Sequence, residues 1–265
     1  MKPLPQHNRN ESNPSYFCQL ALIAALAILG YSNTFSVPFV FDDIRNIVEN
    51  PAIRDLRNFL DINRLSDLTA YSPALATTIK TRFVGYLTFA LNYSLFGLSA
   101  WHFHLVNLVI HIINGWLVFG LAKELLTIPE MPASRPASKS LVTSQRYTPL
   151  LAALFFVSHP LQTQAVSYIV QRLTSLATMF ELATILFYLN AYQATPRNKI
   201  SMWRSLSLAS AALAVLTKEF ALFLPFFLIL WEAVFTNDTI RNKLRRLLPF
   251  ILIPLLPLFI VFGPM

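Results

Sequence analysis

Charge is scarce in this sequence. Asp, Glu, Lys and Arg make up only 13% of its 265 residues, about half the share of an ordinary soluble domain. A soluble globular class is thereby excluded. Cysteine is scarcer still: Cys18 stands alone, which excludes an internal disulfide. No small-residue cleavage pattern follows the first apolar run, so that run reads as an uncleaved anchor. No internal repeat symmetry of the kind common in transporters is visible.

Hydrophobic residues fill the space that charge leaves. They account for 55% of the chain, and the mean hydropathy is +0.51. Several apolar runs approach or exceed the ~20 residues that cross a bilayer. The chain therefore reads as an all-α, polytopic membrane helix bundle, with the lipid bilayer as its partner. The formal net charge of +8 does not point to nucleic acid. The basic residues cluster in short loops between apolar runs, which is the signature of membrane orientation.

Residues 1–15 form a polar cytoplasmic tail, and residues 16–265 read as one transmembrane domain. Tyr16 to Ser36 is the first span. Residues 41–100 form a structured first external loop, dense in charges of both signs up to Asp67. Within it, Thr81 to Phe96 is a helix of about 16 residues that would rise about 24 Å, short of the ~30 Å hydrocarbon core. Its Thr81, Gly85, Thr88 and Asn92 share one small or polar face, so an amphipathic surface helix ended by Gly97 is expected.

Trp101 to Leu126 is a span with a polar stripe, His104, Asn107, His111 and Asn114. Such a stripe faces the bundle interior, either for helix–helix hydrogen bonding or for substrate. A metal shared by the two histidines is disfavoured, since they lie about 10 Å apart along the axis. Thr127 to Tyr147 is a polar loop. Thr148 to Ser158 is apolar but short, and His159-Pro160 interrupts it. A helix follows in which Gln164, Tyr168, Gln171 and Ser175 share a face beside Arg172. Further apolar runs end at Tyr192, Thr217 and Phe235, and a last one begins at Leu247. The chain stops at Met265, inside what reads as another span, so a truncated product is expected. Placing the basic loops in the cytoplasm gives about seven spans. The tail is then cytoplasmic, and Asp42-Asp43, His159–Arg172 and Lys218-Glu219 lie on the external side.

These external polar groups have two readings each. Asp42 and Asp43 are either a solvated helix-end pair or a general base with a second carboxylate that orients an acceptor hydroxyl. One carboxyl of two so close is expected to have a raised pKa. Arg82, Arg172 and Lys218 either snorkel and pair, or clamp an anionic phosphate. His159 either caps the helix behind Pro160 or meets substrate.

The ordered set Phe41-Asp42-Asp43, Asn50-Pro51, Phe89-Ala90-Leu91-Asn92-Tyr93, Leu95-Phe96-Gly97, His104-Leu105-Val106-Asn107, Ile110-His111, His159 to Val166, Arg172 and Thr217-Lys218-Glu219 resembles the transmembrane and tetratricopeptide-repeat O-mannosyltransferases. The resemblance runs from about Phe39 to Trp231. Departures are the absence of any ~34-residue helical repeat and of the family's Arg-Pro pair, since Phe83 follows Arg82. The resemblance implies a GT-C class, periplasmic or luminal glycosyltransferase. It implies inverting transfer of a sugar, mannose in the family, from a polyprenyl-phosphate carrier to a protein hydroxyl. The catalytic base carries over to Asp42 or Asp43. Arg82, His104, His111, His159, Gln164, Arg172, Lys218 and Glu219 are the candidate substrate and phosphate contacts. A divalent metal is left open. The competing reading is a non-catalytic transporter or flippase-like protein.

Overall fold

The structure, a computed structural model, describes residues 14–61, 64, 72–127 and 139–262. The tail before Pro14, most of the basic loop after Thr127 and the segment Gly263–Met265 lie outside the described residues. Among the described residues every regular element is helical and none is a strand. In chain order the principal helices are α1 (Pro14–Gly30), α2 (Pro73–Thr81), α3 (Phe83–Phe96), α4 (Ala100–Thr127) and α5 (Lys139–Ser158). They continue as α6 (Arg172–Gln193), α7 (Arg197–Val215), α8 (Leu224–Phe235), α9 (Ile240–Leu252) and α10 (Leu256–Phe262). Two helices, Ala100–Leu126 and Ile169–Gln193, are long and apolar enough to cross a membrane.

Side-chain contacts sort the helix termini into two ends. At one end the first loop meets the starts of α4 and α6. Phe35 lies 5.1 Å from the ring of Trp101, the Val84 amide donates to the Leu216 carbonyl, and Arg82 pairs with Glu219. At the other end Lys123 sits 5.1 Å over the Tyr16 ring, Arg204 donates to the Arg245 carbonyl, and Tyr188 and Arg246 converge on Glu232. We call these the Asp42 end and the Glu232 end. α1, α4, α5, α6, α7, α8 and the α9–α10 pair run alternately between them. α10 packs on the loop helix α2, so the α9–α10 pair reaches from one end to the other, although prolines at 249, 254 and 257 break it.

Small residues let these helices approach. A Cβ on Gly115 of α4 would lie 2.5 Å from Val157 and 2.9 Å from Ile23, so α1, α4 and α5 meet at that glycine. A Cβ on Gly85 of α3 would stand 2.1 Å from Leu173. The face holding Gly85 and Asn92 is therefore turned inward, with Tyr86, Phe89 and Ala90, and Leu91, Leu95 and Phe96 are exposed. Packing space dictates that orientation, and water contact does not. Gly97 ends α3 at φ +60, its amide returning 2.7 Å to the Tyr93 carbonyl, as a helix-terminating glycine does.

Two expectations need correction. The stretch read as a polar loop from Thr127 to Tyr147 is partly helical, because α4 runs to Thr127 and α5 already begins at Lys139. No Gly or Pro interrupts Lys139–Thr148, and polarity alone does not stop a helix. The helix expected after His159 is instead three short turns, Pro160–Gln162, Thr163–Ser167 and Ile169–Gln171, with Tyr168 extended between the last two. Gln164, Tyr168, Gln171 and Ser175 therefore share no continuous face.

Candidate functional site

The site is built on a bent segment at the Asp42 end. Phe41 lies in the left-handed region at φ +47, an uncommon and costly conformation for a bulky side chain. It reverses the chain so that Asp42 and Asp43 point apart. Asp43 is fully buried. Its carboxylate accepts from the Val40 amide at 3.1 Å and from the Val170 amide at 2.7 Å. The first bond is a local cap on the turn. The second joins the first loop to the broken segment 127 residues away. Burial pushes the Asp43 carboxyl above its ordinary range, against the two amide donors and with a minor contribution from Asp42. Desolvation, more than the neighbouring charge, sets that direction.

Asp42 is exposed, and its backbone is held from both sides. The Asp42 amide donates to the Tyr168 hydroxyl at 3.0 Å, and its carbonyl accepts from Asn46 Nδ2 at 2.8 Å. Asn46 in turn accepts from the Tyr86 hydroxyl, which ties the turn to α3. The Tyr168 hydroxyl also stands beside the Asp42 carboxylate, and burial pushes its pKa up. Asp42 is thus an exposed carboxylate beside the Tyr168 hydroxyl, on a fixed backbone. Asn46 and Tyr86 are positioning residues that the sequence did not single out, and Tyr168 stood there only as one member of a polar face. The only available signal was Asn46, one helical turn after Asp42.

Beside Tyr86 lies a second polar group. Arg82 Nε reaches Glu219 Oε1 at 2.7 Å and Oε2 at 3.0 Å. Lys218 Nζ donates to Thr174 Oγ1 at 2.6 Å and to Gln171 Oε1 at 3.3 Å. Burial and the Arg82 charge hold the Lys218 ammonium below its ordinary pKa. Burial works most strongly on the Glu219 carboxylate and upward, but the bond from Arg82, a backbone hydrogen bond and the charges of Arg82 and Lys218 together keep the pKa below the ordinary value. Arg82, Lys218 and Glu219 therefore form one partly open cluster on the same end as Asp42.

Three further candidates, Arg172, His104 and His111, are held inside the protein. Arg172 is fully buried. It donates to Asn107 Oδ1 at 2.8 Å, Asn92 Oδ1 at 2.9 Å, and the carbonyls of Phe103 at 2.9 Å and Thr88 at 3.3 Å. The rings of Phe89 and Phe103 also lie against it, 4.7 and 5.1 Å from the guanidinium. It pins α3, α4 and α6 together, with four of its five donors spent on partners inside the protein. His104 Nε2 lies 2.9 Å from the Val37 carbonyl, and His111 Nε2 lies 3.1 Å from the Val157 carbonyl. A carbonyl only accepts, so Nε2 carries the proton in both. Asn107 donates to the Val166 and Ile169 carbonyls, and Asn114 to the Ser175 carbonyl. Most of these carbonyls lie where helices stop and backbone acceptors are orphaned. The stripe on α4 is thus buried and bonded to backbone carbonyls of neighbouring segments, as helix–helix pinning requires. His159 Nδ1 accepts from the Leu161 amide at 3.2 Å and caps the turn behind it. Gln164 is exposed. Among the described residues no three His, Cys, Asp or Glu side chains gather to hold a metal.

No family model matches the chain, and no solved structure matches it. Curated proteins do. It is 31% identical over 206 residues to Protein O-mannosyl-transferase Tmtc1 of Drosophila melanogaster, covering 77% of this chain and 21% of that protein. It is 33% identical over 203 residues to Protein O-mannosyl-transferase tmtc2 of Xenopus laevis, covering 75% and 22%. It is 28% identical over 219 residues to Protein O-mannosyl-transferase TMTC4 of Homo sapiens, covering 78% and 28%. This chain is therefore a relative of the protein O-mannosyl-transferases over most of its own length, and it spans between 21% and 28% of theirs.

Proposed function

We propose that the chain is the membrane-embedded part of an inverting glycosyltransferase of GT-C type. Its seven end-to-end passes cross the bilayer, with the Glu232 end in the cytoplasm and the Asp42 end facing the periplasm or lumen. The donor is a sugar, mannose by likeness to the relatives' names, on a polyprenyl-phosphate carrier, and the acceptor is a protein hydroxyl. The observation that carries this reading is the exposed Asp42 carboxylate on a backbone fixed by Tyr168 and Asn46. Arg82 and Lys218 supply cations at the same end.

In the step, the acceptor O–H gives its proton to the Asp42 carboxylate as its oxygen attacks the anomeric carbon. A new C–O bond forms, and the bond between that carbon and the phosphate oxygen breaks. The electron pair leaves with the carrier phosphate, whose charge Lys218 and Arg82 meet. One displacement inverts the anomeric centre and needs no covalent enzyme intermediate.

The test is transfer from polyprenyl-phosphate mannose to a Ser/Thr-containing peptide by the membrane-inserted protein. Transfer that Asp42→Asn lowers at least about a hundredfold, the scale of general-base catalysis, supports the reading. Transfer undiminished in Asp42→Asn overturns the assignment of the base.

A further inference from the structure

The cations of α9 fall into two sets. Arg246 is matched by acid: it holds Glu232 with two nitrogens at 2.7 and 2.8 Å and Asp238 at 2.7 Å. Lys243 donates to the carbonyls of Glu232 and Thr236. Arg241 and Arg245 are exposed, and no ion pair to either is found among the described residues. Arg204 of α7 joins them, donating through Nη2 to the Arg245 carbonyl at 3.0 Å. Four of the five donors on its guanidinium remain. Arg241 and Arg245 thus share one face with no carboxylate paired to either among the described residues, Arg204 reaches the backbone beside them, and like charges one helical turn apart repel.

Arg241, Leu244, Arg245 and Leu248 follow i, i+3, i+4 and i+7, so they share one face of α9. Leu244 and Leu248 are more than half exposed on it. The face interleaves the two kinds of residue: Leu244 lies between Arg241 and Arg245, and Leu248 lies about 4.5 Å beyond Arg245 toward the bundle middle. Exposed cations beside exposed leucines on one face match the headgroup and upper acyl chain of a phospholipid lying against the helix. Guanidinium forks suit phosphate oxygens.

We infer that Arg204, Arg241 and Arg245 bind the headgroup phosphate of an anionic phospholipid in the leaflet at the Glu232 end, with an acyl chain along Leu244 and Leu248. This rests on the membrane reading of the bundle and is separate from the transfer chemistry at the other end.

The test is native mass spectrometry of the full chain released from phosphatidylcholine bilayers containing a minor fraction of phosphatidylglycerol. Retained phosphatidylglycerol is compared between wild type and the triple variant Arg204→Gln, Arg241→Gln, Arg245→Gln. The expected result is at least a tenfold fall in retention, since each basic residue near an anionic surface is worth about fivefold in binding. If the triple variant fails to fold, exposed Arg241→Gln alone is expected to give a fall of about fivefold. Unchanged retention in the folded variant overturns the inference. So does displacement of the lipid by soluble glycerol 3-phosphate, which marks a free-anion site. A chain that washes off membranes in alkaline carbonate fails the membrane reading itself, which separates the two failures.

Discussion

At the Glu232 end a single carboxylate, 1% exposed, is met by Tyr188, Thr236 and two nitrogens of Arg246. At the Asp42 end the work is divided. Asp43 is buried against two amides, Arg172 is buried against neutral oxygens, and Asp42, Arg82, Lys218 and Glu219 stay partly or wholly open. The first arrangement saturates its charge with partners from α6, α8 and α9, which is what a closed packing joint requires. The second uses buried groups to fix the backbone and leaves others accessible. It also concentrates the irregular backbone: the left-handed Phe41, the π-helical turn Ile44–Val48 and the three turns before Arg172. The Glu232 end has an irregular bond of its own, the cis Thr195–Pro196 peptide, but among the described residues it holds no left-handed non-glycine residue and no open carboxylate on a fixed turn like that of Asp42.

The comparison breaks most readily at the buried charges. Glu232→Ala and Arg172→Met are each expected to cost about 3–5 kcal/mol, because truncation strands buried partners. Thermal melting in detergent, followed by tryptophan fluorescence, reads both. A loss below about 1 kcal/mol for Glu232→Ala, smaller than one broken buried hydrogen bond, would show that the Glu232 end is not the joint described. Asp42→Asn is expected to leave melting unchanged and to lower transfer at least about a hundredfold, about 2.7 kcal/mol on the barrier. Stability lost in step with rate would make Asp42 a structural residue like its neighbour.

Asp43→Asn provides the matching control. Val40 and Val170 donate to different oxygens, so the amide keeps an acceptor for only one of them and turns its NH2 toward the other backbone N–H, at a cost of about 1–3 kcal/mol. Melting is expected to fall, with transfer falling only as far as folded protein is lost. A rate loss in Asp43→Asn larger than in Asp42→Asn, at equal folded fraction, would exchange the roles of the two carboxylates.

How much of this was legible depended on whether a local pattern or a distant partner decided it. The stripe His104, Asn107, His111 and Asn114 was visible as a 3.6-residue period. Its partners were not, because they are backbone carbonyls exposed by breaks elsewhere in the chain, such as Val37 and Val157. Arg172 stood out as a cation near a polar face. Nothing local announced that Asn92 and Asn107, 80 and 65 residues away, would enclose it. The Asp42-Asp43 pair was plain in the sequence, but which member faces outward follows from the φ of Phe41, and no residue preference predicts that for Phe. The helical start of α5 was missed because its polar composition read as loop, although nothing in it breaks a helix.

The finest separation lies within the open end, between the pair Arg82–Glu219 and the buried Asp43. The Glu219 pKa is held below its ordinary 4.5. A carboxylate with a lowered folded pKa adds stability that is complete above the unfolded value and disappears as pH falls through the folded one. The Asp43 pKa is raised above 3.8, so its sign is opposite. The folded state there holds its proton more tightly, and relative stability falls as pH rises from 3.8 through the raised value. Arg82 and Glu219 are 29% and 48% exposed, so solvent screens their pair and limits it to about 1 kcal/mol or less. Melting of wild type and Glu219→Gln should therefore differ slightly and by a constant amount above about pH 5, and the two should converge as the pH falls well below the unfolded glutamate pKa of about 4.3. Added salt should shrink the difference. A gap that widens in acid would mean that Glu219 is protonated in the fold, like Asp43, and would remove the ion pair that keeps Arg82 in place beside Lys218.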